Sequence, residues 1–158
     1  MRRSGGSVLA ARLIFTIGYG EATPDRVIAT LRAAEVTTLV DVRAIANSRK
    51  PGFSKTALSA ALEAAGIGYL HLRPLGTPAA GRVAARSGRP AEMRRIFTAH
   101  LAGTEPQAAL AGLAERATRE RVCLLCLEAD PAACHRTLVA EAVAAGVPGV
   151  VVTHLHPS

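Results

Sequence analysis

The sequence predicts an α/β protein, a single-domain three-layer sandwich around a mostly parallel, Rossmann-like sheet. Short β-branched runs alternate with amphipathic stretches over most of its length, and parallel neighbours need crossovers of the kind that helices supply. A chain of 158 residues with 49% apolar content amounts to about one domain and can bury a core. Trp is absent and aromatics make up 3% of residues, so that core is aliphatic and alanine-rich, which suits helices packed closely on a sheet.

The elements follow in order. Residues 1–11 read as a flexible basic leader, and residues 12–158 as the domain. A first strand over 13–17 stops at Gly18-Tyr19-Gly20, and Thr23 before Pro24 marks a helix start, proline being tolerated where its missing N–H is not needed. Val27, Ile28 and Leu31 form the buried stripe of that helix. A second strand over 37–42 leads into a polar loop, after which Ser54 caps a helix that Gly66 closes. A third strand spans 67–72. From 77 to 89 glycine, proline, alanine and arginine show no sustained period, and this stretch reads as a long mobile loop. A helix resumes near Pro90 with Met93, Ile96, Phe97 and Leu101 on one face, and Thr104 to Gln107 has the form of a capping box opening another. A fourth strand over 122–127, a helix ending near Gly146 and a last strand over 150–153 complete the pattern.

Composition narrows the function. The formal charge of +7 favours an anionic partner: a phosphorylated or nucleotide-like small molecule, or nucleic acid. Too few aromatics are present for base-stacking platforms. Three cysteines are not a disulfide framework, and Arg12 interrupts the only apolar run near the start, so neither a signal peptide nor a membrane span is expected and the cytoplasm is the assigned compartment. Oligomeric state has no signal in the sequence.

Ligands of such sheets bind outside the carboxyl ends of the strands. The chemically distinctive residues fall there: Gly18 and Tyr19 after the first strand, Asp41 and Arg43 at the second, His71 at the third, and Cys126 and Glu128 at the fourth. Cys134, His135 and Arg136 stand at the start of the following helix, where unpaired N–H groups and the helix dipole favour a thiolate. Cys134 is therefore a candidate nucleophile, with small-residue packing as the competing reading. Glu128, Asp41 and His135 are candidate acid–base groups, and Arg43, Arg49 and Arg136 candidate anion ligands. Asp41 and Arg43 also alternate onto one strand face, where they can simply pair.

Several familiar arrangements are incomplete. Cys126 precedes Arg136 by ten positions and Cys134 by two, so a Cys-x5-Arg anion loop is absent. Gly18-Tyr19-Gly20 lacks the third glycine of a dinucleotide fingerprint. Cys126 and Cys134 can approach each other across the strand–helix turn as a redox pair, although they are not Cys-x-x-Cys. Cys126, Cys134 and His135 with His71 or His154 would make a zinc set, but no pair has the usual close ligand spacing, so no metal and no cofactor is assigned.

In combination, Phe15-Thr16-Ile17-Gly18-Tyr19, Val40-Asp41-Val42-Arg43, Ser48-Arg49, Tyr69-Leu70-His71-Leu72 with Leu75-Gly76, and Leu125-Cys126-Leu127-Glu128 continuing to Cys134-His135-Arg136 resemble the domain of unknown function 488 family. The resemblance runs in order through nearly all of the globular part. It implies a compact α/β domain whose matching site residues here include Asp41, Arg43, Cys126, Glu128, Cys134, His135 and Arg136, and it implies no particular reaction. The expectation is an anion-binding site at the carboxyl edge, serving a hydrolase or transferase. A non-catalytic nucleotide or nucleic-acid module, or a thiol redox protein, are the alternatives.

Overall fold

The computed structural model describes residues 12–157, so the leader expected at 1–11 lies outside the described residues. Five strands form one sheet in which every pairing is parallel: β1 (Arg12–Gly18), β2 (Thr38–Asp41), β3 (Gly68–His71), β4 (Val122–Cys126) and β5 (Val150–Leu155), in the spatial order β3-β2-β4-β1-β5. Six helices connect them among the described residues: α1 (Pro24–Ala33), α2 (Lys55–Ala64), α3 (Ala79–Arg86), α4 (Pro90–Leu101), α5 (Thr104–Ala117) and α6 (His135–Gly146). Connections through α1 and α2 carry the chain toward the β3 edge, and those through α3–α5 and α6 carry it back toward β5. With a single hand of crossover, connections running in opposite directions place their helices on opposite faces.

Side-chain alternation makes the two interiors. Phe15, Ile17, Leu39, Cys123 and Leu125 point to the face covered by Val27 and Leu31 of α1 and Leu58 and Leu62 of α2. Ile14, Val40, Val122 and Leu124 point to the other, against Met93 and Phe97 of α4, Leu113 of α5 and Val139 and Val143 of α6. Successive strand residues face opposite sides, so a strand covered on both faces is apolar at every position. Val122 to Leu125 in the central strand are all buried, which is why that run shows no polar alternation.

Local signals hold with three differences. Thr23 caps α1, accepting from Arg26 N at 3.4 Å, with Pro24 as its first residue. Gly66 follows α2 at φ 78, a left-handed position that glycine occupies without strain. The stretch 77–89, expected as a loop, instead contains α3. Its buried positions are Gly81 and Ala84, residues too small to register as an apolar stripe, and a Cβ on Gly81 would lie 2.5 Å from Thr77 Cγ2. Thr104 is not the cap of α5: Gly103 holds that position, and Gln107 Nε2 donates to Leu101 O at 2.6 Å. Ser54 is the N-cap residue of α2 but makes no capping bond, its hydroxyl donating to Asn47 Oδ1 at 2.7 Å in the preceding loop.

Leu124 is fully buried in the central strand. Leu124→Ala is expected to destabilise the protein by roughly 2–5 kcal/mol, seen as a lower urea midpoint with an unchanged slope.

Candidate functional site

Parallel register aligns the carboxyl ends of the central strands. Gly18 pairs with Cys126, and Asp41 with both Leu125 and His71. Beyond the strand ends the pairing continues, with Tyr19 N donating to Cys126 O at 3.1 Å and Gly20 N to Leu127 O at 2.8 Å. The residues expected at this edge separate into three groups.

Asp41 and Arg43 form an internal clamp. Arg43 Nη2 and Nε donate to the two carboxylate oxygens at 2.6 and 2.9 Å, Arg43 N donates to Oδ1 at 3.1 Å, and Tyr69 OH donates to Oδ2 at 2.6 Å. The remaining guanidinium nitrogen, Nη1, reaches Phe53 O at 2.7 Å and Tyr19 OH at 3.3 Å. Tyr19 stacks on Phe53 with ring centroids 4.1 Å apart, and His71 Nε2 lies 2.7 Å from Arg43 O. Burial works to lower the Arg43 pKa, but the hydrogen-bonded charge of Asp41 outweighs it and holds the guanidinium ionised. Burial and the bond to Asp41 together push the Tyr69 hydroxyl up. The clamp anchors the loop that carries Asn47, Ser48 and the exposed Arg49.

Arg136 is a second anchor. Fully buried, it donates through Nη1 to Glu128 O and through Nη2 to Ala129 O at 3.3 Å, so that it holds the β4–α6 loop from beneath. Gly18 makes room for this contact, since a Cβ there would lie 1.8 Å from Glu128 O and 2.9 Å from Arg136 Nη1. Arg136 Nε is buried and has no partner among the described residues. The Glu128 side chain points outward in an exposed loop, its Oε1 accepting weakly from Asp130 N at 3.4 Å.

The third group is Cys126, Cys134 and His135. Asp130 accepts from Ala132 N at 3.0 Å and closes a 3-10 turn over Pro131–Ala133. Cys134 follows in extended conformation as the N-cap residue of α6, and His135 and Arg136 begin the helix. His135 Nδ1 lies 3.8 Å from Cys126 Sγ and 3.9 Å from Cys134 Sγ, and the three atoms all fall within 4.8 Å of one another. His135 Nε2 is 2.7 Å from Val42 O, and the Phe97 ring meets the imidazole edge-on with centroids 5.1 Å apart. A hydrogen bond from Cys126 is the main cause holding Cys134 well below the ordinary thiol range, helped by His135 and Arg136 against the opposing effect of burial. Cys126 is correspondingly pushed up, as donor of that bond and by burial.

Cys134 also lines a cavity of about 380 Å³, together with Thr137 and Glu141 from α6, His154 from β5 and Arg94 from α4. His154 Nδ1 and Thr16 Oγ1 are hydrogen-bonded at 2.6 Å, and burial, with Arg136 nearby, lowers the His154 pKa. Thr137 and Glu141 were not among the sequence candidates. Their spacing from Cys134, three and seven residues, places them on the same helix face and is a signal the sequence already carried. A second cavity, about 460 Å³, is lined by Asn47, Lys55, His71 and Arg73.

The family profile described as "Domain of unknown function DUF488" matches residues 23–143 of the 158. The chain belongs to this family. The match takes in Asp41, Arg43 and all three members of the thiol–imidazole cluster, and ends inside α6. Neither a curated protein nor a solved structure matches the chain. Membership in the DUF488 family thus accompanies an all-parallel α/β fold in which no helix among the described residues is long and apolar enough to cross a membrane.

Gly18→Ala forces backbone apart at the β1–β4 edge and is expected to destabilise by about 3 kcal/mol or more in chemical denaturation. Asp41→Ala leaves a buried guanidinium without its carboxylate and is expected to lose about 3–5 kcal/mol in the same measurement. Tyr69→Phe, which removes one of several donors, is expected to lose only about 1 kcal/mol.

Proposed function

We propose that this DUF488 protein is an enzyme that acts on a small anionic molecule, phosphorylated or nucleotide-like, by hydrolysis or group transfer, with its substrate in the cavity beside Cys134. The observation that carries the reading is the convergence of two thiols and an imidazole nitrogen within 4.8 Å, with one of the thiols on the cavity wall. A module that only bound nucleotide or nucleic acid would have no use for that set. Arg43 and Arg136 already serve protein oxygens, so the countercharge for the substrate comes from Arg94, which lines the same cavity. Glu141 and His154 are the acid–base candidates at the cavity wall, in place of Asp41 and Glu128, which the clamp and the solvent take up.

A second reading is a thiol redox couple of Cys126 and Cys134, favoured by the closeness of their sulfurs. Free cysteines, of which the described residues hold three, suit a reducing compartment, and we place the protein in the cytoplasm.

A thermal-shift screen of nucleotides, sugar phosphates and thiol metabolites tests the substrate class. One anionic class is expected to raise Tm by about 5–10 °C at roughly a hundredfold excess over Kd, and Arg94→Ala is expected to remove most of that shift. If no anion moves Tm, or if the shift survives Arg94→Ala, the anionic reading fails; binding of DNA or RNA at low salt without any small-molecule shift would replace it with a binding module.

A further inference from the structure

Cys126, Cys134 and His135 present their donor atoms to a common point, and we infer that they bind a divalent transition-metal ion, zinc by preference, with three protein ligands and one coordination position open to the cavity beside Cys134. The inference builds on the reading of this cluster as the reaction centre and assigns the centre its cofactor.

Geometry is the first support. Around a tetrahedral zinc ion, with Zn–S near 2.3 Å and Zn–N near 2.0–2.1 Å, a sulfur and a nitrogen ligand stand about 3.6 Å apart and two sulfurs about 3.8 Å. The two S···N separations here are 3.8 and 3.9 Å, and all three donors fall within 4.8 Å. Shifts of a few tenths of an ångström in each S···N distance would bring those pairs to coordination geometry. Because the donors come from a strand end and a helix start, the backbone that carries them is already in place.

The second support is the state of the imidazole. Val42 O can only accept, so the nitrogen 2.7 Å from it, Nε2, carries a hydrogen, and Nδ1 is the ring nitrogen turned toward both sulfurs. Metal-ligating histidines donate their second ring nitrogen in this way to a carbonyl or carboxylate, which fixes both tautomer and ring orientation. Phe97 packs edge-on against the ring and restrains it further. A disulfide-forming pair would require neither the histidine nor its orientation.

Donor chemistry selects the ion. Two sulfurs and one imidazole, with no carboxylate in the cluster, suit zinc and not magnesium or calcium. Binding forms two metal–sulfur bonds and one metal–nitrogen bond, and each thiol still protonated releases its proton to solvent. Three protein ligands plus an open position is the arrangement of catalytic zinc sites, where the metal activates water and polarises a substrate oxygen. Since Cys134 is on the wall of the 380 Å³ cavity, water or substrate can take the fourth position from there.

Sequence spacing concealed the site. Cys134 and His135 are adjacent and Cys126 lies eight residues earlier, with a strand end, a loop and a 3-10 turn between.

The test is a cobalt titration of the full chain after chelator treatment under reductant. One Co²⁺ per chain is expected, with the intense visible bands of tetrahedral coordination and a near-ultraviolet thiolate charge-transfer band, all displaced by Zn²⁺. Cys126→Ser and Cys134→Ser are each expected to weaken binding by at least about tenfold and to reduce the charge-transfer band, and His135→Gln to shift the visible bands. Cys123→Ala, which removes a buried thiol outside the cluster, is expected to change none of these. Circular dichroism of each metal-free variant checks folding, and if His135→Gln does not fold the two serine variants decide the matter. Absence of saturable one-to-one binding, or a spectrum indifferent to both serine variants, overturns the inference. A protein that takes up no Co²⁺ but still shows the Arg94-dependent anion shift would sink the metal site and leave the enzyme reading standing. Stoichiometric, variant-sensitive Co²⁺ binding with no anion shift would do the reverse.

Discussion

A guanidinium that water cannot reach must find oxygen acceptors inside the protein, and the fully buried Arg136 finds them in the carbonyls of Glu128 and Ala129. Those two residues belong to the loop between β4 and α6, the same loop that delivers Cys134 and His135 to Cys126. Gly18 completes the arrangement from β1, because any side chain there would occupy the space of the Glu128 carbonyl. Removing the charge would leave carbonyls unpaired and a void beneath the loop, so the geometry of the thiol cluster depends on this one buried cation. It also lies near enough to all three cysteines to favour their ionised forms.

Arg43 does the corresponding work on the other side. Asp41, Tyr19 and Phe53 O take up its donors, Tyr69 adds a bond to the Asp41 carboxylate, and through Phe53 the clamp ties the loop after β2 to the sheet edge. A buried charge needs pairing and hydrogen bonds; Arg43 has both through Asp41, whereas Arg136 is held by two backbone carbonyls, with no carboxylate beside it and its Nε without a partner among the described residues. The positive charge that a sequence reading would assign to a ligand is thus largely spent on holding loops. The cavity beside Cys134 is faced by a smaller set, Arg94, Glu141 and His154, and the second cavity by Lys55, His71 and Arg73.

The strands and most helices were legible because burial on both faces of a parallel sheet and on one face of each helix leaves a direct imprint in the order of apolar residues. Val122 to Leu125 and the Val27, Leu31 pair are examples. Failure came where the imprint is small or where two partners compete for one polar group. α3 buries only Gly81 and Ala84, so its helical period shows in the i, i+4 spacing of Arg82 and Arg86 and not in a stripe of large apolar residues. Gln107 had two possible uses, and the carbonyl at the end of α4 took it. The pairing of Asp41 with Arg43 was readable from strand alternation, whereas the further capture of Arg43 by Phe53 O, ten residues on, was not.

By itself the sequence determined the class of fold, the presence of its distinctive polar and thiol residues at the strand ends, and family membership, because each is encoded in local order: periodicity, strand-end residues and short motifs. Tertiary structure alone decided which of the polar residues at that edge are free to act. Cys126 and His135 are separated by a strand end, a loop and a 3-10 turn, and only the anchoring of that loop by Arg136 brings Sγ and Nδ1 to 3.8 Å. Whether an arginine binds a ligand or a carbonyl depends on which oxygens surround it in space, and that is a property of the packed chain.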